Sequence, residues 1–78
     1  MPIKAYILIV SDPVKTKNVT KQLKDIPSIT SIAEVMGPYD IVVELSVESL
    51  TEIPPILGEK VRTIDGIQNT TSLVTLPE

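Results

Sequence analysis

Ile3-Lys4-Ala5-Tyr6-Ile7-Leu8-Ile9-Val10 decides how this chain folds. Apolar side chains fall on both parities of the run. Ile3, Ala5, Ile7 and Ile9 form one set, Tyr6, Leu8 and Val10 the other, and only Lys4 interrupts. A short, β-branched run of this kind reads as a strand buried on both faces. The remaining segments must therefore give it neighbours on each edge and cover on each side.

Working outward, Ser11-Asp12-Pro13 breaks the strand, with Asp12 placed to cap a helix and Pro13 at its first position. Thr16 is a competing cap. Val19, Leu23 and Ile26 recur at helical spacing while Lys15, Lys17, Lys21 and Lys24 lie elsewhere, so one stripe of this helix is buried. Pro27 is expected to end it, because the residue before a proline is pushed out of helical geometry. Ile29 to Met36 mixes apolar and polar residues, as a less buried strand would. Gly37-Pro38-Tyr39-Asp40 is a turn, proline presetting one φ and glycine tolerating a positive one. Ile41 to Val47 is a strand with Ile41, Val43, Leu45 and Val47 on one face and Asp40, Val42, Glu44 and Ser46 on the other. Leu50, Ile53, Leu57, Val61 and Ile64 then favour a second helix. Pro54-Pro55 must sit near its start, since a proline in a helix interior costs about 3 kcal/mol. Two solutions stand: Thr51 as N-cap, or a turn from Glu48 followed by a kink. The favoured reading has a regular part from about Pro54 to Thr63, with Gly66 as the stop. Ile67 to Leu76 is the last strand, with a polar centre at Gln68-Asn69-Thr70-Thr71-Ser72.

The order βαββαβ, joined by right-handed crossovers, predicts a ferredoxin-like α+β fold. Its four-stranded antiparallel sheet places the first and third strands centrally, and both helices cover one face. At 78 residues the chain is read as a single domain, residues 1–78. Such a small core is marginal by itself. The chain contains no Cys, His, Phe or Trp, which excludes disulfides and ordinary zinc, copper or iron–sulfur sites. The uncovered sheet face, apolar on the first strand, then predicts face-to-face dimerisation, a dimeric α/β barrel.

Most chemistry is missing its parts. Without His or Cys there is no Ser-His or Cys-His pair. Gly37, Gly58 and Gly66 form neither a P-loop nor a dinucleotide fingerprint. Carboxylates are numerous, but so small a domain offers little cleft for a polymer, and the expectation is no enzyme, no catalytic residue, no metal and no cofactor. Seven basic residues against ten acidic give a net charge of −3, and two tyrosines are the only aromatics. That is a poor composition for gripping nucleic acid. No apolar run reaches the ~18 residues of a membrane span. No signal peptide is visible at the start, and the chain reads as cytoplasmic. Two local features can hold a small polar ligand. In the Gly37-Pro38-Tyr39-Asp40 turn, free N–H groups suit a carboxylate and Asp40 suits an amine. The plain alternative is a hairpin turn whose Asp bonds its own backbone. The hydroxyls of Thr70-Thr71-Ser72 are the second feature, with an ordinary edge strand as the plain alternative. Glu34 and Glu44 read as solvent-facing, and Lys60 and Arg62 as complementing the helix dipole.

Gly37-Pro38-Tyr39-Asp40-Ile41-Val42-Val43 resembles the glycine–x–aromatic–Asp–aliphatic segment of the Lrp/AsnC regulators. Ile64-Asp65-Gly66-Ile67-Gln68-Asn69-Thr70-Thr71-Ser72-Leu73-Val74 resembles that family's Gly-Val-x-x-Thr-x-Thr ending. The resemblance covers essentially the whole chain as the C-terminal effector (RAM) domain. It implies a homodimer assembling sheet to sheet, then into rings, often of four dimers, with an amino acid or related metabolite bound between dimers. Gly37, Tyr39 and Asp40 match the effector-binding turn, and Thr70 and Ser72 the two hydroxyl positions of the last strand. Ser72 replaces the usual Thr, Pro38 stiffens the turn, and Pro54-Pro55 departs from the usual second helix. The family's helix-turn-helix has no counterpart here. The implied protein is a stand-alone effector domain that does not bind DNA itself and modulates full-length Lrp/AsnC regulators by mixed assembly. A ligand-free oligomerisation module and a dimeric α/β-barrel enzyme are the alternatives.

Overall fold

The computed structural model describes residues 2–76. Four antiparallel strands, β1 (Ile3–Ser11), β2 (Ile29–Glu34), β3 (Ile41–Val47) and β4 (Ile67–Val74), form one sheet in the order β2-β3-β1-β4. The two most apolar strands are thus central, as the hydrophobic pattern requires. β1 pairs β3 with Ile7 opposite Val43 and Ile9 opposite Ile41. On its other edge it pairs β4, with Ile7 opposite Ser72 and Ile9 opposite Thr70. Both crossovers run over one face. There Ala5, Ile7, Ile9, Ile41, Val43 and Leu45 are completely buried. Tyr6, Leu8, Val10 and Val42 point to the opposite face, which this chain leaves half-exposed.

The first helix starts in two steps. Asp12 Oδ1 accepts the Val14 N–H at 3.1 Å, capping a 3-10 turn at Pro13–Lys15. α1 (Thr16–Leu23) follows and buries Val19 and Leu23. It stops earlier than Pro27 demands. The chain tightens instead through Asp25 N–H to Gln22 O (3.1 Å) and Ile26 N–H to Leu23 O (3.1 Å), which still delivers Ile26 to the core.

The second helix departs most from expectation. Its cap is Ser49, not Thr51. Ser49 Oγ accepts from the Thr51 N–H, and Glu52 Oε2 accepts the Ser49 N–H at 2.8 Å, a Ser-x-x-Glu capping box. A 3-10 turn (Leu50–Glu52) leads into one α-turn, α2 (Ile53–Pro55), and then a π-helical segment (Ile56–Val61). Pro54 and Pro55 fall early, where missing N–H groups cost least. Ile53, Ile56, Leu57, Val61 and Ile64 are buried, whereas Leu50, in the capping turn, is 56% exposed. The helix closes at Arg62, whose N–H reaches back five residues to Leu57 O at 2.8 Å.

Gly66 does not end that helix but turns the chain into β4. Its φ is +108°, and a Cβ there would lie 2.7 Å from Lys15 Cβ and 3.0 Å from Val19 Cγ2. Gly66 O accepts the Asp12 N–H at 2.8 Å, and Lys15 Nζ pairs with Asp65 at 3.0 Å, so the start of the first helix is fastened to this turn. β2 and β4 are shorter than read from sequence, ending at Glu34 and Val74 rather than Met36 and Leu76. No helix among the described residues is long and apolar enough to cross a membrane.

Two glycine substitutions should separate these roles. Gly58→Ala, in the second helix with nothing within 4 Å of the added carbon, should raise the unfolding free energy by about 0.5–1 kcal/mol. Gly66→Ala should lower it by about 1–3 kcal/mol through strain and overlap. Urea unfolding at one fixed protein concentration measures both.

Candidate functional site

The Asp40 turn and Thr70 lie toward the end of the sheet where β1 finishes, and Ser72 nearer its middle, opposite Ile7. The turn between β2 and β3 is closed by the Val35 N–H bonding Asp40 O at 2.9 Å. Gly37 has φ +137° with open space around it, so this turn uses glycine for its backbone and not for close packing. Tyr39 is half-buried. Asp40 ties the turn to β1 twice. Its N–H donates to Ile9 O at 2.8 Å, and its Oδ2 accepts the N–H of buried Ser11 at 2.9 Å. One carboxylate oxygen therefore does structural service. Oδ1 makes no hydrogen bond among the described residues.

Thr70 and Ser72 lie two apart on β4, on the helix-covered side, opposite Ile9 and Ile7. Thr71 faces the other way, opposite Leu8. β4 is an edge strand, so the hydroxyls stand at the rim of the core. Thr70 is half-buried and Ser72 exposed. β1 separates them from the Asp40 turn, and with strands spaced at about 4.8 Å the two halves are roughly 10 Å apart. One copy of the chain thus brings Thr70 and Ser72 together, brings Gly37, Tyr39 and Asp40 together, and does not join the two groups.

The site holds more than the sequence disclosed. Arg62 Nε donates to Thr70 Oγ1 at 3.3 Å, so Arg62 does more than complement a helix dipole. A register shift lies beside it. Val10 pairs with Asn69 but Ser11 pairs with Ile67, leaving Gln68 as the extra residue of a β-bulge. Asn69 Oδ1 accepts the Thr70 N–H at 2.9 Å, bracing the strand after the bulge. Arg62, Ile67, Gln68, Asn69 and Thr70 line an open cavity of about 200 Å³. Bulges are hard to read from sequence. The signals available were a single arginine in a lysine-rich chain and its position shortly before a turn glycine. Glu44 also differs from expectation. It is half-buried on the open face, where Oε1 accepts from Thr30 Oγ1 at 2.9 Å and Oε2 from Tyr6 OH at 3.4 Å.

The sequence profile described as the Lrp/AsnC ligand binding domain matches residues 4–78. The chain belongs to the Lrp/AsnC ligand-binding domain family. An uncharacterised HTH-type transcriptional regulator of Pyrococcus horikoshii is 35% identical over 74 residues, 94% of this chain and 47% of the regulator. The chain therefore spans about half the length of that relative. A homocitrate synthase of Sulfurisphaera tokodaii is 37% identical over 62 residues, 78% of this chain but 13% of the enzyme. Among solved structures, a hypothetical protein from Pyrococcus horikoshii superposes with a TM-score of 0.88 at 28% identity, covering 97% of this chain and 92% of that one. The Lrp/AsnC chain is thus similar to part of an HTH-type transcriptional regulator and to part of an enzyme, and it has the ferredoxin-like sheet that its pattern predicts.

Asp40 gives this Lrp/AsnC domain a test that needs no ligand. Asp40→Ala removes the acceptor for the Ser11 N–H and should cost about 1–3 kcal/mol of stability. Asp40→Asn, which keeps an acceptor oxygen, should cost under about 1 kcal/mol by the same measure of denaturant unfolding.

Proposed function

We propose that this domain is a sensor that binds an amino acid or related small metabolite and passes its occupancy on through assembly. The observation that carries the reading is the Thr70 hydroxyl lining an open cavity with Arg62, Gln68 and Asn69, with Ser72 two residues further along the same face of β4, in a chain belonging to a family of ligand-binding domains. Gly37, Tyr39 and Asp40 form the second half of the site, and a neighbouring copy closes the gap between the halves. Copies pair through the open sheet face, where Tyr6, Leu8, Val10 and Val42 are half-exposed beside 51%-exposed Leu73. Dimers then associate into a larger ring, with effector held between them. Partners are further copies and full-length Lrp/AsnC regulators in the cytoplasm. The domain carries out no catalysis. The similarity to a stretch of a homocitrate synthase supports a sensing role separable from DNA binding.

Thermal shift and native mass spectrometry in the presence of each amino acid test this reading. At least one should raise Tm progressively with concentration, because a ligand that binds only the folded state stabilises it by mass action. The native mass should be at least that of a dimer. No stabilisation by any amino acid argues for a ligand-free module, and a monomer removes the pairing.

A further inference from the structure

We infer that Arg62 reads the carboxylate group of the bound effector, and that the wide helical turn and the β-bulge serve to bring it there. The inference deepens the sensor reading and rests on it. Arg62 is the only arginine, the other six basic residues being lysines. It stands where the π-helical segment closes, and its backbone N–H bonds Leu57 O. From that position Nε donates to Thr70 Oγ1. The Nη1–Nη2 edge of the guanidinium makes no hydrogen bond among the described residues. No carboxylate lies within ion-pair distance of it there, Lys15–Asp65 being the one such pair among them.

The chemistry of the cavity selects an anion. Its walls are a guanidinium, a threonine hydroxyl, two carboxamides and the half-buried Ile67, with no acidic residue. Asn69 already spends its Oδ1 on the Thr70 N–H. A planar fork with one edge anchored and the other free matches the two oxygens of a carboxylate, which a lysine ammonium contacts only as a point charge. Thr70 then has a double duty: it offers its hydroxyl at the site and fixes the plane of the fork. The effector class is a small molecule with a carboxylate, whose apolar portion can lie against Ile67.

Calorimetric titration of the whole chain with each amino acid, followed by the carboxamide of the tightest binder, tests this directly. Wild type should bind the carboxamide about tenfold or more weakly than the acid. Arg62→Gln should weaken the acid by a similar factor and lose most of the preference for acid over carboxamide. Arg62→Lys should keep an intermediate preference, and it carries the test if the glutamine variant does not fold. Equal binding of acid and carboxamide by wild type, or an undiminished acid preference in a folded variant, overturns the inference. If no amino acid binds, the amino-acid reading fails by itself. Pyruvate, succinate and citrate then decide the role of Arg62: binding that R62Q abolishes upholds it, and absence of binding by all three overturns it.

Discussion

Hydrogen bonding of β1 on both edges, to β3 and to β4, is the constraint from which the other features follow. A strand enclosed by neighbours has no backbone left for water, so its sequence can be apolar on both parities without inviting edge pairing. Its helix-facing side is completely buried at Ala5, Ile7 and Ile9. Right-handed crossovers put both helices on that side. The opposite side is left with Tyr6, Leu8 and Val10, too apolar for an ordinary wet surface and too flat for a core. The same strand that makes the domain cohere therefore leaves it half-covered.

Departures from regular geometry gather at one junction, where the second helix ends and β4 begins. The helix widens after Ile56, the chain reverses at Gly66 with positive φ, and β4 bulges at Gln68. Each is costly or unusual taken alone. Together they carry Arg62 over the start of β4 and set Thr70 beneath it. The turn is held down by the Asp12 N–H to Gly66 O bond and by the Lys15–Asp65 pair. A local arrangement that regular helix and strand geometry would not generate is thereby kept rigid from the first helix.

Strand identity was legible because period-two patterning and burial coincide: Ile41, Val43, Leu45 and Val47 alternate with polar or half-buried partners over the observed strand. The helical stripe was legible in type and in phase from Ile53 to Ile64. Leu50 fits the same repeat, yet it belongs to the capping turn and stays exposed, while Ile56 joins the buried face beside Leu57. Ser49 and Glu52 carry a recognisable cap signature ahead of Pro54-Pro55. The candidate hydroxyls were visible as residue types. Their neighbour Arg62 was not, because the contact depends on a reversal and a bulge that no local propensity specifies. The side chain of the turn aspartate binds backbone, but that of a distant residue, Ser11, which no turn motif specifies.

Thr75 adds its N–H and its hydroxyl to a single acceptor, Lys4 O, at 3.0 and 2.8 Å. The entry to β1 and the exit from β4 consequently share one corner of the sheet. A fold whose two ends meet can be spliced onto, or into, another polypeptide without disturbing its interior. That corner lies toward the opposite end of β1 from Thr70, which pairs with Ile9, five residues along the strand from Lys4, about 16 Å at 3.3 Å per residue. Anything attached there would hang from the domain as from a stem, mechanically linked to the Thr70 end only through the length of the sheet.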